Sequence, residues 1–143
     1  MRIVIGCDHG GYVLKKKIIT YLEENNITFE DVGSYSEESV DYPEYARKVA
    51  KKVTSGKFDR GILLCGTGIG ISIAANKVKG ARCALVHDVE SASLTRQHND
   101  SNILAMGGRI VDHNLALEIV KIWLSTDFEG GRHLRRVNSI EEV

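Results

Sequence analysis

Short apolar runs alternate along the chain with segments whose apolar residues recur at helical spacing. Four of the runs are almost continuously apolar, as expected for strands that are covered on both faces of a sheet. They span residues 2–7, 60–65, 82–87 and 102–107, and a weaker β-type run covers 28–32. The pattern therefore predicts about five strands.

Amphipathic helices are predicted between these strands, because apolar residues recur there at intervals of three and four. The three predicted buried faces are Leu14, Ile18, Tyr21 and Leu22, then Ala46, Val49, Ala50 and Val53, and then Leu115, Ile119, Ile122 and Trp123. Pro43 is placed to begin the second of these helices in its first turn. Residues 132–143, after two glycines, predict a short basic helix.

Strand–helix alternation of this kind predicts right-handed βαβ units and a parallel sheet. We therefore expect a three-layer α/β/α Rossmann-like domain with a mostly parallel sheet of about five strands and a C-terminal helix. No shift of composition and no internal repeat divides the chain, so residues 1–143 are expected to form a single domain. In such sheets ligands bind beyond the carboxyl ends of the strands.

Composition narrows the possible functions. Nineteen basic residues balance nineteen acidic ones, so no overall field favours nucleic acid or a membrane surface as partner. The cysteines Cys7, Cys65 and Cys83 are odd in number and show no disulfide-like spacing, which predicts reduced thiols in a cytoplasmic protein. No apolar run approaches the roughly 18 residues of a membrane span, and the start of the chain has no signal-peptide pattern.

The segment ILLCGTGIG at 62–70 carries the strongest chemical signal. Cys65 ends an apolar run and opens a glycine-rich turn, and residues 71–78 after the turn predict a helix. A helix N-terminus favours negative charge and therefore stabilises a thiolate, which is able to take a proton from carbon. The alternative is a buried cysteine that packs as a small apolar residue, with glycines that serve a tight turn.

Other glycine-loop chemistries do not fit this segment. A Walker A loop needs Gly-Lys-Ser/Thr, and a dinucleotide fingerprint needs a different glycine spacing from G-x-G-x-G. A cysteine phosphatase loop would carry arginine about six positions after the cysteine, where this chain has Ile71.

Further candidate residues lie in three other segments, and each of them has an alternative explanation in which its role is purely structural. Asp8 and His9 follow the first strand, where Asp8 either caps a helix or binds sugar hydroxyls, and His9 either faces solvent or meets a phosphate. His98 precedes the last strand and is either structural or an acid–base group. The basic cluster is either a solvated surface or a phosphate clamp; it consists of Arg132, His133, Arg135 and Arg136.

Taken together, these motifs resemble the type B ribose-5-phosphate isomerases, within the sugar-phosphate isomerase group that includes allose-6-phosphate and galactose-6-phosphate isomerases. The matching segments span almost the whole chain in order: GCDHGG (6–11), DYPEYA (41–46), CGTGIGISIAANK (65–77), TRQHNDSN (95–102), GGRI (107–110) and GGRHLRRV (130–137).

The resemblance implies reversible aldose–ketose isomerisation of ribose 5-phosphate and ribulose 5-phosphate through an enediolate, without metal or cofactor. It implies that Cys65 moves the proton between C1 and C2 and that His98 assists opening of the sugar ring. It also assigns the remaining residues. Thr67 and the amides of Gly66, Gly68, Ile69 and Gly70, with Asn99, stabilise the enediolate; Asp8 and Tyr42 contact the sugar; His9, Arg132 and Arg136 hold the phosphate, with Arg109 and His133 as weaker candidates.

The resemblance also implies active sites between subunits of a homodimer or tetramer. One branch of the family replaces the cysteine with a glutamate just past the glycine turn, where this chain has Ile71, so Cys65 is the expected base. Two alternatives remain, namely an allose-6-phosphate isomerase, as main or second activity, and a non-catalytic phosphosugar-binding module.

Overall fold

The computed structural model describes residues 1–142 and consists of alternating strands and helices. In chain order these are β1 (Arg2–Cys7), a 3-10 turn (His9–Gly11), α1 (Tyr12–Glu24), β2 (Thr28–Asp31), α2 (Tyr42–Thr54), β3 (Arg60–Cys65), α3 (Ile69–Ala75), β4 (Cys83–Leu85), α4 (Val89–Asn99), β5 (Ile103–Gly107), α5 (His113–Ser125) and α6 (Arg132–Ser139).

The five strands form one sheet in the order β2-β1-β3-β5-β4, and every neighbouring pair is parallel. This arrangement confirms the predicted α/β fold with a parallel sheet. Because β3 is the central strand, Cys65 lies at the middle of the carboxyl edge, in register with Gly107 of β5. The fold thus brings the glycine-rich turn to the position where parallel sheets bind ligands.

Helices cover both faces of the sheet, since successive residues of each strand point to opposite sides. Ile3 and Ile5 of β1 pack in a cluster with α1 and α5, whereas Val4 packs in a second cluster with α2. All four residues of the predicted α2 face are buried, which confirms that prediction.

The buried face of α5 is turned slightly from the predicted one. Ile119 and Trp123 are buried as expected, but Leu115 and Ile122 are half-buried, and Ala116 and Val120 complete the buried face.

Three elements differ from the sequence expectations. β4 covers Cys83–Leu85 rather than 82–87, because Val86 and His87 already leave the strand. α3 begins at Ile69, inside the glycine turn, and ends at Ala75.

α4 was not predicted, because its sequence is polar and the helix buries mainly Ala92 and Arg96. The Asp88 carboxylate caps this helix by accepting the Ser91 amide at 2.6 Å.

A buried lysine ties α1 to the end of β2. Lys15 is 1% exposed, and its Nζ donates to both carboxylate oxygens of Asp31, at 2.7 and 2.9 Å, and to the backbone oxygen of Ser34. This ion pair holds the start of the 33–41 loop against the sheet.

Within residues 1–142, none of the helices combines the length and the apolar character needed to cross a bilayer.

Candidate active site

Cys65 places its sulfur against the backbone of the glycine turn. The side chain is 5% exposed, and Sγ accepts a hydrogen bond from the Gly68 amide at 3.0 Å. A sulfur that packs only as a small apolar group would have no such polar partner. The geometry therefore supports the chemical reading of Cys65 over simple apolar packing, although one side of the residue does contact the core cluster of α2 and α3.

The glycines of the turn are required by its shape. Gly68 adopts a φ of 78°, and a Cβ there would lie 2.6 Å from the side chain of Leu85 and 2.7 Å from the backbone of Met106. A Cβ on Gly70 would lie 2.6 Å from the ring of Tyr42, so this tyrosine packs directly on the turn. Tyr42, which the resemblance assigned to the sugar, is therefore a neighbour of the turn.

Two amides of the turn are already in use. The Gly68 N–H points at the Cys65 sulfur, and the Ile69 N–H donates to Thr67 Oγ1 at 3.2 Å. Within residues 1–142 the amides of Gly66, Thr67 and Gly70 donate to no acceptor. These three groups form a set of available donors beside the sulfur.

Asp8 caps the 3-10 turn after β1, as its structural alternative predicted. Its Oδ1 accepts the amides of Gly10 at 2.8 Å and Gly11 at 3.2 Å, which leaves Oδ2 for another partner. A Cβ on Gly10 would lie 2.8 Å from the Gly66 nitrogen, so the two loops are in close contact. The capping role therefore places Asp8 next to the glycine turn rather than excluding it from the site.

His9 is oriented by the backbone of the 33–41 loop. Its Nδ1 accepts the Val40 N–H at 3.2 Å. An imidazole that accepts at Nδ1 carries its proton on Nε2, so His9 presents a donor on its other side. This is the form that suits a phosphate oxygen.

Arg109 extends from the end of β5 over the same turn. Its amide donates to the Gly66 oxygen at 3.0 Å, and its guanidinium lies 3.5 Å from the position of a Cβ on Gly66. We call the residues gathered here the thiol cluster; it comprises Asp8, His9, Tyr42, residues 65–70 and Arg109.

The remaining predicted residues form a second group, the histidine cluster, at the end of α4 and on α6. A cleft of about 350 Å³ is lined there by His98, Asn99, His133 and Arg136, with Val137 and Ile140. Arg132 and Arg136 are one helical turn apart on α6, and both are exposed.

His98 and His133 stack within this cluster. Their ring centroids are 4.3 Å apart and the ring planes differ by 16°. His133 is 7% exposed, and its Nε2 has no hydrogen-bond partner in residues 1–142. Burial lowers the pKa of His133 from its ordinary value, and the nearby charges of His98 and Arg132 lower it further. Glu129 opposes this lowering, and His133 lies beneath the more exposed His98.

The two clusters lie toward opposite ends of the sheet in one chain. Cys65 ends β3 at the carboxyl edge, whereas α4 runs back so that His98 lies near the amino ends of β4 and β5. At about 3.3 Å per strand residue, the edges are roughly 15 Å apart. A single chain does not bring His98 to Cys65.

The other two cysteines are not suited to acid–base work. Burial raises the pKa of Cys83 to about 12, and burial also raises the pKa of Cys7. Both are therefore held as thiols.

Two contacts of the candidate site were missed in the sequence analysis. Glu129, whose carboxylate faces both histidines, could have been noticed because it stands four residues before His133. The contact between Val40 and His9 uses only the backbone N–H of Val40, which donates to His9 Nδ1, so the identity of the side chain at position 40 does not reveal it.

Comparison with known proteins gives one consistent family. A family model described as Ribose/Galactose Isomerase matches residues 3–140. Ribose-5-phosphate isomerase B of Escherichia coli (strain K12) is 49% identical over 142 residues, which cover 99% of this chain and 95% of that relative.

Solved structures agree with this match. The ribose-5-phosphate isomerase B of Clostridium thermocellum has a TM-score of 0.98 at 53% identity, covering 99% of this chain and 96% of that one. That of Mycoplasma genitalium, solved with bound ribulose-5-phosphate, has a TM-score of 0.92 at 43% identity, with coverages of 97% and 93%.

Proposed function

Because this chain belongs to the ribose/galactose isomerase family, we propose that it is an aldose–ketose isomerase that interconverts ribose 5-phosphate and ribulose 5-phosphate. Family membership confirms the resemblance found in the sequence motifs. The observation that carries the proposal is the Cys65 sulfur, held by a backbone N–H beside three available amides. The Mycoplasma genitalium relative with bound ribulose-5-phosphate supports the substrate class.

In the proposed mechanism the Cys65 thiolate takes a proton from C2 of the open-chain aldose and returns one to C1, while the hydroxyl proton of O2 passes to O1. The electron pair of the broken C–H bond moves into an enediolate, whose oxygen needs hydrogen-bond donors that are already in place. The free amides of Gly66, Thr67 and Gly70 supply them. The Gly68 amide, which the sequence analysis assigned to the enediolate, instead stabilises the thiolate in this proposal.

The neighbours of the sulfur, together with residues of the histidine cluster, bind the rest of the substrate. Asp8, through its free Oδ2, and Tyr42 contact the sugar hydroxyls. The Nε2–H of His9 donates to the phosphate together with Arg132 and Arg136, whose guanidinium groups fit phosphate oxygens. Arg109 and His133 are secondary phosphate contacts. No step requires a metal or an organic cofactor, so we propose a cofactor-independent reaction.

We further propose that each active site combines the thiol cluster of one subunit with the histidine cluster of another. The separation of the two clusters in one chain supports this arrangement, because His98 and Asn99 otherwise cannot reach the sugar. Apolar side chains that are exposed in the single chain also favour association with a second copy; they include Ile69, Ile73, Leu94, Ile110 and Leu134. Both a dimer and a tetramer are consistent with a site that is shared between subunits.

The family match over residues 3–140 supports one isomerase domain for the whole chain. Cytoplasmic location stays a prediction of the sequence.

The direct test is an assay with purified protein and ribose 5-phosphate, in which ketose formation is followed without added cofactor. We expect conversion to the ketose, and a lower kcat/KM for allose 6-phosphate, which tests the alternative six-carbon activity. If ribose 5-phosphate protects the protein from thermal unfolding but no ketose forms, the chain is a binding module and the isomerase proposal is wrong.

His98→Ala separates ring opening from proton transfer. In ring opening His98 takes the O1 proton while the bond between C1 and the ring oxygen breaks, and the ring oxygen takes a proton from water. We expect the variant to isomerise cyclic ribose 5-phosphate about 10²-fold more slowly. Ribulose 5-phosphate is acyclic because its C5 oxygen carries the phosphate, so exchange of its C1 hydrogen with deuterium from solvent should persist.

NMR in deuterated water measures this exchange. Equal losses of isomerisation and exchange in His98→Ala would refute the ring-opening role.

A further inference from the structure

Glu129 is fixed beside the end of α4 by its own backbone. Its amide donates to the Gln97 oxygen at 3.1 Å, and the preceding segment is held where Arg96 Nε donates to the Thr126 oxygen at 3.1 Å. Arg96 is itself 5% exposed. The connection between α5 and α6 is therefore attached at two points to the helix that carries His98.

The Glu129 carboxylate faces both stacked histidines. Its Oε1 lies 3.7 Å from His98 Nε2 and 3.6 Å from His133 Nε2. The buried Nε2 of His133 has no hydrogen-bond partner within residues 1–142. The other charged groups near the histidines, Arg132 and Arg136 of α6, are positive. Glu129 is the negative group that faces His98 within the described chain.

This geometry does not favour a metal site, although one atom from each of the three side chains lies within 4.8 Å of the others. Imidazoles bind metals through lone pairs that lie in the ring plane. Because the two rings are stacked nearly parallel, their lone pairs run side by side instead of converging on one point.

We propose that Glu129 is a positioning residue whose carboxylate charge, 3.7 Å from His98 Nε2, favours a proton on that nitrogen and leaves Nδ1 to face the sugar. This proposal rests on the ring-opening role of His98 given above. A neutral imidazole with its proton on Nε2 accepts a proton at Nδ1, which is what removal of the O1 proton requires. The carboxylate then stabilises the imidazolium that forms, as an orienting acid does in other histidine-based sites. His133 contributes the ring against which His98 packs.

Glu129→Gln tests this role, since it keeps the length of the side chain and removes its charge. We expect turnover of ribose 5-phosphate to fall at least about tenfold. Deuterium exchange at C1 of ribulose 5-phosphate should stay near the wild-type rate, because Cys65 is untouched. Glu90→Gln, an exposed residue in the first turn of α4, is the matched control.

Two outcomes would overturn the proposal. One is a Glu129→Gln enzyme whose ribose 5-phosphate turnover matches that of the wild type. The other is an equal loss of turnover and exchange, which indicates a general structural role. A wild-type protein that performs neither reaction contradicts the proposed function itself, so the two failures are distinguishable.

Discussion

Cys65→Ala is expected to lose both isomerisation of ribose 5-phosphate and deuterium exchange at C1 of ribulose 5-phosphate. A positioned general base contributes 10²–10⁴-fold, so we expect a fall in kcat of about 10³-fold or more. Binding of the phosphosugar should remain, because His9 and the arginines are unchanged. Paired activity and exchange measurements, with substrate binding by calorimetry, check this result.

Cys83→Ala is the control, because burial holds this second cysteine as a thiol. It should retain wild-type turnover. A Cys65→Ala protein that still exchanges the C1 hydrogen at the normal rate would remove Cys65 from the mechanism.

Lys15→Met is expected to destabilise the fold strongly without touching the reacting groups. Methionine matches the length of the lysine stem but leaves the Asp31 carboxylate and the Ser34 oxygen without their cation. Breaking a buried ion pair in this way costs about 3 kcal/mol in the free energy of unfolding. For a chain of this size that corresponds to a fall in Tm of roughly 10 °C. Urea unfolding followed by circular dichroism measures the loss.

Replacing Asp31 by the neutral Asn in the Lys15→Met background should restore part of this stability. In Lys15→Met/Asp31→Asn the carboxylate charge is gone, while the Asn amide oxygen is still able to accept the Gly33 amide that now donates to Asp31 at 2.9 Å. Lys17→Met, on the exposed side of α1, should change stability by less than about 0.5 kcal/mol. If Lys15→Met unfolds at the same urea concentration as Lys17→Met, the ion pair does not stabilise the fold.

Much of the fold follows from the apolar pattern. The strands ending at Cys7 and Cys65 were predicted to the residue, because continuous apolar runs are bounded there by polar and glycine residues. The pattern failed at α4, where the helix rests on a cap and two buried residues rather than on an apolar face. It also could not reveal Lys15 as a core residue, since only the fold brings Asp31 and the Ser34 oxygen to it.

The candidate site was predictable as a set of residues but not as an arrangement. Motifs identified Cys65 and His98, yet nothing in their order shows that one chain holds them at opposite ends of the sheet. Which amide faces the sulfur likewise depends on the backbone conformation at Gly68, which sequence alone does not specify. Glu129 escaped notice because a lone acidic residue near a basic helix has many ordinary explanations.

The opposed placement of the two clusters has a consequence for turnover if the proposed shared site is correct. If each site takes its proton-transfer group from one copy and its ring-opening group from another, an isolated subunit holds only halves of two different sites. Turnover per chain then follows the association equilibrium and falls on dilution below the dissociation constant. A substitution that weakens the interface would therefore behave as a catalytic defect, even if it lies far from any bound sugar.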